Sequence, residues 1–322
     1  MELPAGLRQV ADEILEGVSV HDLRRAAERL SRRYRGEVLD GRLHVSDALA
    51  AKAYLATRLP ATYAAIRQSL AEVAQRNADC RPKSLLDIGS GPGTALWAAL
   101  AEWPEIEDVV LVEASLPMRE TGQQLAQSLA LKRLSWRALN AEDLSAETEP
   151  AELVTLCYVL DELAPAFREL LVKRLWTLSL KMLVIVEPGT PAGWRRVMAA
   201  REILLEAGAH ILAPCPHHAP CPVAPPDWCH FSRRVARSRL HRLAKGGDVP
   251  WEDEKFIYLA ASPTAPRQAG LRVLAPPRMG SGTIRLKLCG PEGKLEDRLI
   301  TRREGPAFKA ARRLEWGDML EP

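Results

Sequence analysis

Apolar residues recur at helical spacing through the first part of the chain, in Leu23, Ala26, Ala27 and Leu30 and again in Ala50, Ala53, Tyr54 and Leu55. Pro60 interrupts, and Ala61 to Val73 begins a further helix. Residues 1–80 therefore read as a helical N-terminal region. Arg24, Arg25, Arg29, Arg32, Arg33 and Arg35 give its early part a basic face, read as solvated helix surface ahead of RNA contact.

The pattern changes at Ser84. Short apolar runs now alternate with helical stretches: Ser84–Ile88, Val109–Glu113, Leu153–Cys157 and Met182–Val186, with helices such as Thr94–Glu102 and Pro117–Leu129 between them. Buried strands alternating with helices predict a parallel α/β sheet. Residues 210–231 are rich in Pro, Cys and His and predict no regular element. Ser232–Lys245 predicts a basic helix, and Phe256–Ala260 a returning strand. Residues 81–262 thus form one α/β domain with a cysteine-rich insertion at 210–231. Pro263 and Pro266 mark a linker. Residues 263–322 read as a small, basic, β-rich module, with strands expected at Leu271–Leu274, Thr283–Leu288 and Arg298–Thr301.

Composition narrows this only slightly. The chain has 322 residues, 47% of them hydrophobic, enough for one large domain and smaller additions. A net charge of +3 neither demands nor excludes a nucleic-acid partner, so the distribution of charge decides. No run approaches the roughly 18 apolar residues of a membrane span, and no membrane partner is expected. Met1-Glu2-Leu3-Pro4 offers no basic leader, and Glu2, Asp12, Glu13 and Glu16 argue against an organellar presequence; a cytoplasmic monomer is the expectation.

The first strand ends in Asp87 and runs into Gly89-Ser90-Gly91-Pro92-Gly93-Thr94. Glycines permit a tight turn and let a ligand approach the backbone. The helix that follows offers free N–H groups and a positive dipole end. A dinucleotide enzyme uses G-x-G-x-x-G, and its third glycine would fall on Thr94. The D-x-G-x-G-x-G form, through Asp87, Gly89, Gly91 and Gly93, matches class I methyltransferases that hold S-adenosylmethionine, and the predicted fold is that Rossmann-like α/β class. The second strand ends in Glu113, about 20 residues on, where an acid accepts hydrogen bonds from ribose hydroxyls. Asp143 is the candidate acid near the adenine amino group.

After the next strand, methyltransferases acting on base amines often carry Asn/Asp-Pro-Pro-aromatic. Here the chain reads Tyr158-Val159-Leu160-Asp161-Glu162-Leu163, with no Pro-Pro and no cysteine pair suited to attack on a pyrimidine. Tyr158, Asp161 and Glu162 are the candidates for bordering the reacting atoms. Asp161 and Glu162 also fit a helix start as caps, and Glu187-Pro188-Gly189-Thr190 fits either a cleft wall or a turn.

Cys215, Cys221 and Cys229 form C-x5-C-x7-C among prolines and histidines. Three thiols in so short a span point to metal rather than core packing. Thiolates suit zinc or an iron–sulfur cluster; the absence of a close C-x2–4-C pair tilts towards iron–sulfur and leaves zinc open. Cys289 is the candidate fourth ligand, with a histidine of the segment as its competitor.

These motifs converge. The chain resembles the methyltransferase-like assembly factors of the mitochondrial small ribosomal subunit and their bacterial relatives. The resemblance runs through Arg58–Ala65, Asp87–Gly93, Glu187–Pro191, Cys215-Pro216-His217, Cys221-Pro222, Trp228–Phe231 and Trp316-Gly317-Asp318, and so covers nearly the whole chain. It implies a [4Fe–4S] site at Cys215, Cys221, Cys229 and Cys289, and association with the small ribosomal subunit and its rRNA. Basic residues agree with an RNA partner: Arg233, Arg234 and Arg237 follow the cysteines, and Arg285, Arg302 and Arg303 stand in a tail that also holds Arg272, Lys287 and Arg298. Three readings of function stand: an rRNA methyltransferase, a non-catalytic assembly factor that keeps the fold, and a small-molecule methyltransferase.

Overall fold

Five parallel strands set the frame: β1 (Ser84–Ile88), β2 (Asp108–Val112), β3 (Arg133–Arg137), β4 (Ala151–Cys157) and β5 (Ser179–Pro188), in the order β3-β2-β1-β4-β5. The computed structural model describes residues 1–145, 147–266 and 270–320. β8 (Trp251–Ser262) returns antiparallel beside β5, and β6 (His210–Ala213) pairs antiparallel with β8. β7 (Phe231–Ala236) pairs with the first half of β8. Five parallel strands extended by one antiparallel strand ahead of β6 make the mixed sheet of a Rossmann-like methyltransferase fold.

Leu85, Leu86, Val109, Leu153, Val154 and Val184 are fully buried, as strands covered on both faces require. The cover comes from α5 (Thr94–Glu102), α7 (Pro165–Leu178), α8 (Pro191–Glu206) and α4 (Leu59–Arg76). Pro60 lies in the first turn of α4, where its missing N–H costs nothing. Further N-terminal helices, α1 (Ala5–Leu15), α2 (Val20–Arg35) and α3 (Ala48–Thr57), share the sheet's core through Leu7, Leu23 and Leu55. Because β1 sits between β2 and β4, successive connections leave it in opposite directions. A crevice therefore opens beyond the carboxyl ends of β1 and β4.

The sequence reading is corrected in three places. β3 had no forecast: Arg133-Leu-Ser-Trp-Arg is an edge strand, exposed at its start and half-buried beyond, so it lacks an apolar run. The insertion is not wholly irregular, because His210–Ala213 forms β6. The expected helix at Ser232–Lys245 is strand β7 followed by the short helix α9 (Arg239–Lys245). Phe231 and Val235, both buried and four apart, fit either period; pairing with β8 decides for the strand. The linker expected from Pro263 runs into residues 267–269, which lie outside the described residues.

The last part of the chain forms a second sheet of β9 (Leu271–Val273), β10 (Arg278–Gly280), β11 (Thr283–Cys289), β12 (Leu295–Thr301) and β13 (Met319–Leu320), with α10 (Pro306–Ala311) against it. It has its own small core of Val273, Ile284, Leu286, Leu288, Ile300 and Ala311. Leu274 and Trp316 also pack on the core of the larger domain, and polar anchors tie the two together. Arg272 of β9 is 1% exposed. Its Nη1 donates to Glu72 Oε2 of α4 at 2.6 Å and to Gly317 O, and its Nε to Pro214 O at 2.9 Å. Lys287 of β11 pairs with Asp227 of the insertion. Arg272, expected on a phosphate-binding surface, is thus an internal strut.

Arg272→Ala leaves Glu72 buried without its partner, a loss of about 3–5 kcal/mol for such pairs. The urea midpoint should fall accordingly; an unchanged midpoint would show that the strut carries no load.

Candidate functional site

The crevice holds a cavity of about 930 Å³. On one side stands the loop after β1. Gly89, Gly91 and Gly93 all take left-handed backbone, with φ of +64°, +53° and +81°, which costs a side-chain-bearing residue free energy. At Gly89 a Cβ would lie 2.4 Å from Val159 Cγ2, so this backbone packs directly on the segment after β4. Gly93 precedes the first turn of α5.

Asp87 stands behind the loop, 1% exposed, with Oδ1 accepting from Thr155 Oγ1 at 2.6 Å. Burial pushes its carboxyl up to about 7; Thr155 pulls it back and Glu113 adds to the rise. Glu113 follows β2 and turns its carboxylate onto the loop, accepting from Gly91 N and Ser115 N, each at 2.8 Å. Burial raises it as well. Gly89, Gly91, Glu113, Asn140, Ala141 and Glu142 line the cavity. Asp143 does not: it is exposed in a single 3-10 turn and bonds Asn140 Nδ2 at 2.9 Å.

The far side of the cavity is carboxylate-rich and clamped. Tyr158 follows β4 with φ +61°, a strained position for an aromatic residue. Its OH donates to Glu254 Oε1 at 3.1 Å, and Arg58 Nη2 pairs with the same oxygen at 3.3 Å. Asp161 is 5% exposed, lines the cavity and leaves Oδ1 without a partner. Burial raises its carboxyl, Arg196 opposes and Glu37 reinforces. Burial and then Asp161, Glu113 and Glu187 raise Glu162 well above the carboxylate range. Behind them Glu187, fully buried at the end of β5, accepts from Leu160 N and Arg196 Nε, each at 3.0 Å. Arg196 forks onto Glu37 at 3.0 and 3.1 Å.

This network joins the segment after α2 to the sheet. Ser115 Oγ adds a bond to Val45 O at 2.7 Å. The structure therefore brings Gly89, Gly91, Glu113, Tyr158, Asp161 and Glu162 to one cavity. Sequence reasoning missed Glu37, Arg196 and Glu254. Alternation of Glu252 and Glu254 along β8 signals inward acids only once the strand is known.

The insertion follows β6 and lies against α8. Cys215, Cys221 and Cys229 are half-buried, Cys289 of β11 is buried, and all four are free thiols. Burial raises the Cys229 thiol, and Cys215, Cys221 and Cys289 raise it further, so the four face one another electrostatically. Burial, Cys215 and Cys221 push Cys289 up to about 12. His217 Nε2 lies 3.4 Å from Cys289 Sγ, which sets the two candidate fourth ligands side by side. Among the described residues no three His, Cys, Asp or Glu side chains are placed to hold a metal ion. Arg201 of α8 binds the loop through His217 O and Ala219 O at 3.0 and 2.8 Å.

The basic residues divide. Arg233 pairs with Glu315 at 3.6 Å, Arg234 with Asp253 at 2.9 Å and Arg237 with Glu252 at 3.0 Å. Pairing of β7 with the acidic start of β8 explains why Arg234 and Arg237 are engaged rather than free, while Arg233 meets an acid of the tail. Lys287 and Arg298 are paired as well, with Asp227 and Glu296. Arg285, Arg302 and Arg303 are exposed. Arg285 stands directly across from Arg278 of β10.

The mitochondrial ribosome assembly protein METTL17 of Homo sapiens is 27% identical over 288 residues, covering 83% of this chain and 61% of its own. The mitochondrial Rsm22-cox11 tandem protein 2 of Schizosaccharomyces pombe is 22% identical over 322 residues, covering 83% and 42%. The chain thus spans between two fifths and two thirds of the length of these relatives. Among solved structures, magnesium protoporphyrin IX methyltransferase of Synechocystis with bound S-adenosylmethionine overlaps with a TM-score of 0.43 at 14% identity, covering 81% of this chain and 98% of its own. The fold assignment rests on strand order rather than on that overlap. These relatives are named as mitochondrial proteins, which overturns the cytoplasmic expectation. The early acids behind that expectation, Asp12, Glu13 and Glu16, lie exposed on and just after α1, where they solvate a helix and mark no compartment. No helix among the described residues is long and apolar enough to cross a membrane. A family pattern described as mitochondrial small ribosomal subunit Rsm22 matches residues 48–321, and the chain belongs to that family.

Proposed function

We propose that this chain is an S-adenosylmethionine-binding assembly factor of the small ribosomal subunit that acts by binding rather than by methyl transfer. The observation that carries the reading is the clamped far wall of the cavity. Tyr158 and Arg58 are both tied to Glu254, and behind them Arg196 binds Glu187 and Glu37 together. A base entering from RNA would meet this wall instead of an open Pro-Pro cradle. Gly89, Gly91, Gly93 and Glu113 would hold the cofactor: the loop through its backbone, Glu113 through a carboxylate suited to ribose hydroxyls. The cofactor supplies an activated methyl group when bound; the chain's own residues position it and exclude water. METTL17 is named as a ribosome assembly protein, which supports the role, and exposed Arg285, Arg302 and Arg303 offer phosphate contacts.

The cysteines form the second part of the reading. Soft thiolates, mutually facing at Cys215, Cys221, Cys229 and Cys289, fit an iron–sulfur cluster. Buried guanidinium atoms left without partners beside them, Arg201 Nε and Arg272 Nη2, fit an anionic group. The cluster would tie the insertion to the C-terminal module.

Glu113→Gln should weaken S-adenosylmethionine binding about tenfold by calorimetry, the worth of a charge-assisted hydrogen bond. The variant should still co-sediment with immature small subunits. Labelled methyl groups should reach neither naked small-subunit rRNA nor immature subunits; transfer to either would install the methyltransferase reading instead. Anaerobically purified protein should be brown and contain iron and sulfide, and Cys289→Ser should lose much of both. A colourless protein holding one zinc would sink the cluster, and unchanged iron in Cys289→Ser would move the fourth ligand to His217.

A further inference from the structure

Arg201 is 3% exposed, on the face of α8 that meets the cysteine segment. A guanidinium stays charged at any pH the protein meets. Burying one without a counter-ion is costly. Yet Arg201 has no carboxylate partner among the described residues: its Nη2 is spent on two backbone carbonyls, His217 O and Ala219 O. Its Nε has no partner at all. Arg272 is buried more deeply still and has one carboxylate, Glu72, but its Nη2 is likewise free. Two unspent, buried N–H groups of charged residues at one place call for an anion.

Both charges act on the same sulfurs. The charge of Arg201 reaches Cys215, Cys221 and Cys289. The charge of Arg272 reaches Cys215, Cys229 and Cys289. Four thiolates bring more negative charge than a zinc ion or a resting iron–sulfur core neutralises, so such a centre stays anionic.

We propose that Arg201, with Arg272 as its counterpart from the C-terminal module, serves the cysteine-ligated centre by donating free N–H groups to its sulfurs and offsetting its charge. The inference rests on the iron–sulfur reading given above. It assigns these arginines as positioning residues that set how readily the centre forms and how easily it is reduced. A nearby positive charge favours the added electron. Removing it shifts the reduction potential to more negative values.

The test uses the full chain, reconstituted anaerobically with iron and sulfide, as wild type, Arg201→Lys and Arg201→Met. Iron content and reduction potential by spectroelectrochemistry are the readouts. Arg201→Met should either lose most of its iron or titrate at a more negative potential, and Arg201→Lys, which keeps the charge, should lie closer to the wild type in both. An arginine that merely ties residues 217–219 to α8 would not move the potential. Arg201→Met with wild-type iron and wild-type potential overturns the proposal. So does Arg201→Lys as defective as Arg201→Met, since charge would then not be what matters. A wild-type chain that takes up no iron overturns the cluster reading itself and this inference with it, an outcome visible before any variant is compared.

Discussion

A buried guanidinium holds this molecule together. Arg272 comes from a sheet with its own small core and reaches α4 of the larger domain, the start of the cysteine segment and the backbone near the end of the chain. It acts beside Leu274 and Trp316, which pack on the core of the larger domain. With it Cys289 arrives among cysteines some sixty residues or more earlier in the chain. The strut is costly to bury and is stabilised only because Glu72, Pro214 O and Gly317 O all meet it.

The crevice depends on a different constraint. Strand order fixes where it opens, and three left-handed glycines let the loop lie against Val159 with no side chain between. The far side of the same crevice is lined by Tyr158, Asp161, Glu162 and Glu254, with Glu37 and Arg58 added from the N-terminal region. Arg196 grips Glu187 and Glu37 together, so the sheet and the N-terminal segment meet at one charge network. Burial raises the carboxyls of both Asp161 and Glu162 along this wall.

Much of this was legible in the sequence, for physical reasons. Strands buried on both faces appear as unbroken apolar runs, so β1, β2, β4 and β5 stand out. Gly89, Gly91 and Gly93 stand out because only glycine takes that backbone without penalty. β3 hid because an edge strand needs little apolar surface, and β7 because Phe231 and Val235 fit two periods. Asp143 was chosen by position along the chain, but the turn that carries it faces solvent. Arg196, Arg201 and Arg272 look like any surface arginine until the fold buries them, and pairing of Arg233, Arg234 and Arg237 with acids of β8 and the tail depends on contacts distant in sequence.

If the cysteine centre ties the insertion to the C-terminal module, metal should govern how firmly that module is held. Hydrogen exchange across β9, β11 and β13, compared in metal-free and iron-loaded protein, measures this directly. The account predicts slower exchange in those strands on iron loading, with β1 and β4 unchanged. Equal exchange in the two forms would contradict it.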